Sequence, residues 1–162
     1  LAADDTLKTI SEHISTGTDF IYGDSWEYTR GKNHYKKARS HQQSKLGMFT
    51  HHQAMIYKTA LIKDMRYNQD YKIAADYDFT LRFLQKAKQI KYLPTTFCIY
   101  QAGGISQQNA AQGRGEQFAI RKNLKICGRF ENRKILALQK CNEIFRKKFP
   151  VLYWRFKSPT MR

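Results

Sequence analysis

The chain has 162 residues, 41% hydrophobic and 14% aromatic, which is enough for one domain with its own core and too apolar for a disordered tail. Its net charge of +16 is uneven: residues 1–120 hold 16 basic and 11 acidic side chains, residues 121–162 hold 13 and 2. That asymmetry points to an anionic partner for the C-terminal segment, while Cys98, Cys127 and Cys141, widely spaced, argue against a disulfide framework or a zinc site.

Asp4-Asp5-Thr6 ahead of Leu7, Ile10 and Ile14 predicts an N-capped helix ending near Gly17. Residues 19–24 read as a short apolar strand bounded by turn formers. Trp26, Tyr28 and the basic stretch 30–39 predict a second strand and a hairpin-like loop rich in Lys and Arg. Residues 51–57 read as a buried strand, with a short helix over 59–63 after it. Neighbours on a strand face opposite ways, so His51 and His52 are not expected to serve one site.

From 75 to 88 the pattern is helical, with Tyr77, Leu81 and Leu84 on one stripe beside Phe79 and Phe83. Asp78 and Arg82 stand in the favourable acid-first i, i+4 order. Asp76 and Asp78 sit at the helix start, where a carboxylate either favours the macrodipole or, beside an open cleft, acts as a general base. Residues 90–93, Pro94 and 96–101 read as strand, break, strand. Gly103 and Gly104 open a loop that runs to Gly113 and Gly115, and the chain turns helical past Glu116. Ile135, Leu138, Cys141, Phe145, Phe149 and Leu152 recur at spacings of three and four, with Pro150 ending or kinking that helix. The alternation is that of an α/β chain with too few βα units for a complete nucleotide-binding sheet. No apolar run approaches the roughly 20 residues needed to span a bilayer. No stretch reads as a signal peptide, and Leu1 reads as a cut through a larger protein.

Four segments in this order carry a resemblance: Asp-Phe-Ile-Tyr-Gly-Asp at 19–24, His52-Gln53, Ile-Ala-Ala-Asp-Tyr-Asp-Phe-Thr-Leu-Arg at 73–82, and Gly103-Gly104-Ile105-Ser106. Together they resemble the later part of a family 2, inverting, GT-A-type glycosyltransferase of the kind that builds bacterial surface polysaccharides, over roughly residues 4–107. The resemblance implies an incomplete GT-A fold with a mixed sheet in 1–115, followed by a basic amphipathic helical extension in 116–162. It implies transfer of a sugar from a nucleotide diphosphate sugar to the hydroxyl of a glycan or lipid-linked glycan, with inversion. In that family a Glu-Asp or Asp-Asp pair supplies the base. Here Ala75 takes the first place, leaving Asp76 as the catalytic residue, and Asp78, His52, Gln53, Gly103, Gly104, Ser106 and Asp24 as substrate-binding residues.

A divalent metal, Mg or Mn, is implied on an Asp-x-Asp motif upstream of Leu1, with none held by the present residues. The chain is thus expected to be the acceptor-side portion of the enzyme and inactive alone. Segment 121–162, with Phe145, Phe149, Tyr153, Trp154 and Phe156 among its cations, is expected to dock peripherally on anionic lipid at the cytoplasmic face of the cell membrane. Two other readings compete. A pI of about 9.9 suits a nucleic-acid-binding module, although no zinc-finger, RNP or KH motif occurs, and a non-catalytic scaffold could retain the same fold.

Overall fold

The computed structural model describes residues 6–15, 17–29, 31–149 and 152. The expected cap at Asp4-Asp5, the break at Pro150 and the aromatics Tyr153, Trp154 and Phe156 lie outside them. In chain order the elements are α1 (Thr6–His13), β1 (Phe20–Thr29), β2 (Lys32–Lys36), 3-10 turns at His41–Leu46 and His52–Ala54, and β3 (Met55–Tyr57). There follow α2 (Thr59–Ile62), α3 (Ala75–Leu84), β4 (Ile90–Gln101), α4 (Ile105–Gln108), α5 (Ala110–Asn123) and α6 (Arg129–Lys148). The chain is mixed α/β around a four-stranded mixed sheet.

β1 is the spine of that sheet. Along one edge its first residues pair antiparallel with β3 and its last with β2, as a hairpin. Along the other edge β4 runs parallel to it over almost the whole length. Trp26 and Tyr28, expected on a separate strand, continue β1 and face Tyr35 and Asn33 across the hairpin. Pro94 does not split β4. The ladder absorbs it in an irregularity, so that Tyr22 faces Tyr92 but Asp24 faces Thr96 and Ser25 faces Cys98. Proline cannot donate to a ladder, and a bulge is where a sheet tolerates it. Gly23 lies opposite this bulge: a Cβ there would stand 2.4 Å from the Phe97 ring and 2.7 Å from the Thr95 carbonyl oxygen, so only glycine fits without a shift.

Alternation along β1 builds two cores. Phe20 and Tyr22 join Phe49, Met55, Phe79 and Phe83 between the sheet and α3. Ile21 faces the other way, with Ile10 of α1, Leu93 and Phe97. Each fully buried ring of this kind contributes roughly 2–3 kcal/mol. Just before β1, Asp19 accepts the Lys88 and Gln89 N–H groups and the Lys58 ammonium. Those two N–H groups, then Lys58, pull its carboxyl down to about 2.

A third apolar cluster joins α3 to α5 through Ala74, Tyr77, Leu81 and Ile120. The stretch expected as a glycine loop is helical: α5 begins at Ala110, contains Gly113 and Gly115, and passes through the expected 115/116 boundary. α6 packs on α5 with a mostly polar inner face. Of its apolar series, Ile135 is buried, while Leu138, Phe149 and Leu152 are exposed. Among the described residues no helix is long and apolar enough to cross a membrane.

Candidate active site

The turn before α3 decides where Asp76 points. Ala74, the N-cap, offers no capping side chain, and the turn that leads into it is held from elsewhere. Glu116 of α5 supplies the acceptor from 42 residues away. Its carboxylate accepts the N–H groups of Lys72 at 3.1 Å, Ile73 at 2.8 Å and Ala74 at 2.7 Å. Burial works to raise the Glu116 carboxyl, and the Ile73 and Ala74 donors, with Gln112, outweigh it and hold the group below its ordinary value. α5 approaches this turn closely because Gly113 has no side chain; a Cβ there would lie 3.0 Å from Ile73 Cγ2.

Asp76 thereby stands in the first turn of α3 with its side chain 48% exposed, on the wall of a cleft of about 710 Å³. His52 lies beside it, Nδ1 to Oδ2 3.3 Å. Tyr67 is a further neighbour: burial and then the Asp76 charge push its hydroxyl above its ordinary value. Residues 52–54 form a 3-10 turn rather than the start of a strand, and the strand is only Met55–Tyr57. In that turn successive side chains do not alternate between two faces, so His51 and His52 both line the cleft, with ring centroids 6.3 Å apart. This corrects the expectation that they could not share a site.

Across the cleft stand α5 and α6. Arg114 pairs with Glu143 at 2.5 Å, and Glu143 also holds Lys147 at 2.8 Å. Gln139 spends its amide nitrogen on the Leu46 carbonyl and on Gln117 Oε1. Among the described residues, Arg114 Nε and Gln139 Oε1 are buried without a hydrogen-bond partner. Such unpartnered buried atoms are rare and costly.

The expected site residues thus divide. Asp76, His52, Gln53 and Ser106 line one cleft. Gly103, with φ +95°, and Gly104 are exposed and do not line it. Asp78 faces inward, where Arg82 holds it through Nε and Nη2, both at 2.8 Å. Asp24 is fully buried, accepting the Ala38 N–H at 2.6 Å and the hydroxyls of Tyr35 and Tyr92. Both carboxylates are structural, because no ligand in the cleft reaches a group enclosed by its own partners.

No family model, curated protein or solved structure matches the chain. The site therefore has to be read from its own chemistry. Among the described residues no three or more His, Cys, Asp or Glu side chains are grouped to hold a metal ion. Glu116, Arg114, Gln139 and Glu143 were not singled out by sequence. Glu116 acts over 42–44 residues, and the polar inner face of α6 becomes visible only once α6 is packed on α5.

Proposed function

We propose that this chain forms the acceptor-side wall of an inverting glycosyltransferase of GT-A type, with Asp76 as the general base. The observation that carries the reading is the half-exposed Asp76 carboxylate in a cleft whose opposite wall is polar, lined by Arg114, Gln117, Gln139, Asn142 and Glu143. A polyhydroxylated acceptor suits such a wall, because each hydroxyl both donates and accepts. Drug-sized and sugar-sized ligands occupy clefts of several hundred Å³.

In this reading the acceptor hydroxyl donates its proton to Asp76 as its oxygen attacks the anomeric carbon. The bond to the departing diphosphate breaks from the opposite side, the nucleoside diphosphate leaves with the electron pair, and the configuration inverts. His52 braces the carboxylate from one side, and Glu116 fixes the backbone that aims it. Nucleotide binding and any divalent metal belong to residues other than these, and no step here depends on them.

The outward face of α6 supports a peripheral docking on an anionic membrane surface. Phe130 is 79% exposed and Leu138 60% exposed, with Ile144 also exposed, among Lys134, Lys140, Lys147 and Lys148. Apolar and basic groups displayed together fit the headgroup layer of an anionic bilayer.

Transfer assayed in the full-length protein that carries this chain tests the reading. Asp76→Asn keeps the size and removes the base, so the rate constant is expected to fall by at least about a hundredfold. A loss of less than about tenfold, roughly 1.4 kcal/mol of barrier, removes Asp76 from that role.

A further inference from the structure

Behind the Met48–His51 segment lies a second cleft of about 600 Å³, sharing Met48, Thr50 and His51 with the first. Its charge is different. The first cleft balances Asp76 and Glu143 against Arg114 and Arg146, whereas the second is lined by Lys36, Lys37 and Arg39 and by no carboxylate. Glu27, just beneath, pairs with Lys36 at 3.0 Å. Lys37 and Arg39 form no ion pair among the described residues. Two positive charges therefore line the cleft outside any ion pair.

The rim is held in place before any ligand arrives. Ala38, between the two cations, donates its N–H to the buried Asp24 carboxylate. Arg39 N–H reaches the Phe49 carbonyl at 2.8 Å, and Arg39 Nη2 reaches the Met48 carbonyl at 2.8 Å. Ordering these groups beforehand removes part of the entropic cost of binding. The remaining wall is aromatic: Tyr35, Tyr100 and His51, the last two stacked at 3.8 Å and 16°. Tyr100 is fixed by its hydroxyl, which donates to Glu27 at 3.0 Å. Burial, then the neighbouring His52, holds His51 below its ordinary value, which favours the neutral ring.

We propose that this second cleft binds a phosphorylated carbohydrate, with the phosphoryl group on Lys37 and Arg39 and the sugar ring against the Tyr35–His51–Tyr100 wall. Two cations match a dianionic phosphate monoester better than a carboxylate, and a guanidinium fork suits phosphoryl oxygens. The volume fits a small ester, and the aromatic wall gives the C–H face of a sugar ring an apolar surface. Asp76 is no part of this cleft, so the assignment stands or falls separately from the proposed transfer reaction.

Calorimetric titration of the chain with glucose 1-phosphate, inorganic phosphate and glucose tests it. The ester is expected to bind at least tenfold more tightly than either component. Lys37→Gln/Arg39→Gln should raise its Kd tenfold or more, and Lys37→Gln alone, which breaks no brace to Met48, should raise it several-fold. Lys134→Gln/Lys148→Gln removes the same charge from the exposed face of α6 and should change Kd less than twofold, as should Asp76→Asn. Equal losses in the two double variants mean general electrostatic attraction and overturn the assignment. So does an ester that binds no better than phosphate or glucose alone, or a loss of binding in Asp76→Asn.

Discussion

His52 and Asp76, 24 residues apart in sequence, meet at 3.3 Å on the wall of the larger cleft. The contact sets a rank order between them. If Asp76 takes the acceptor proton, Asp76→Asn removes the reaction, whereas His52→Gln removes only a brace and is expected to cost about three- to tenfold in kcat. The comparison is made on kcat with saturating acceptor. A His52→Gln loss as deep as that of Asp76→Asn would assign proton transfer to the imidazole instead.

Glu116 is the second test. Glu116→Ala leaves the Lys72, Ile73 and Ala74 N–H groups without their acceptor. Hydrogen bonds to charged groups contribute more than neutral ones, and partial exposure lets water replace some of them. The expected loss is about 2 kcal/mol, or a fall in Tm of roughly 6 °C for a chain of this size. Thermal unfolding followed by circular dichroism reads it. Because the same bonds aim α3, transfer activity in the full-length protein should fall well below the folding temperature as well.

Arg121 is fully buried, its Nε donating to Asn132 Oδ1 at 2.7 Å and its two terminal nitrogens without a hydrogen-bond partner among the described residues. Asn132 in turn donates to the Phe118 carbonyl at 3.0 Å, tying α6 to α5. Asn132→Leu strands the last bonded nitrogen of a buried cation and is expected to cost about 3 kcal/mol in a urea melt. The double variant Arg121→Met/Asn132→Leu removes the cation too and should be more stable than Asn132→Leu alone. A double variant at least as unstable as that single one would mean that the guanidinium stabilises the fold in its own right.

Asp19 fixes a pH dependence. Its folded-state value of about 2 lies below the ordinary carboxyl value of 3.8, so its contribution to stability is fully present above about pH 4. It is lost as pH falls through about 2. Asp19→Asn should therefore be less stable than the natural chain at pH 6, with the two converging near pH 2. Denaturant midpoints measured across that range would show the convergence, and a constant offset at all pH values would contradict it.

Much of the frame was legible because it depends on local periodicity. The α3 stripe of Tyr77 and Leu81 and the Asp78–Arg82 pair both follow from spacing along the chain. Misreadings arose where tertiary pairing overrode a local signal. Pro94 looked like a break because its cost is local, while β1 supplies a ladder long enough to absorb a bulge. Gly113 and Gly115 looked like a loop, yet both lie in α5, and the missing side chain of Gly113 is what lets that helix close on the Ile73 turn. Motif order brought Asp76 and His52 forward, and the structure sets them on one cleft wall, whereas the enclosure of Asp24 and Asp78 by their partners depends on tertiary packing.

The manner in which α6 is attached has an outcome for solution conditions. Its seam with the rest of the chain is drawn largely from charged and polar contacts: Arg114 with Glu143, Lys45 with Glu131, and Arg121 with Asn132. The sheet and α3 are instead joined by aromatic rings. Added salt weakens the partly exposed pairs and leaves ring packing intact. Amide hydrogen exchange should accordingly quicken along 129–148 as ionic strength rises while β1 stays protected, so that one side of the cleft loosens before the molecule unfolds.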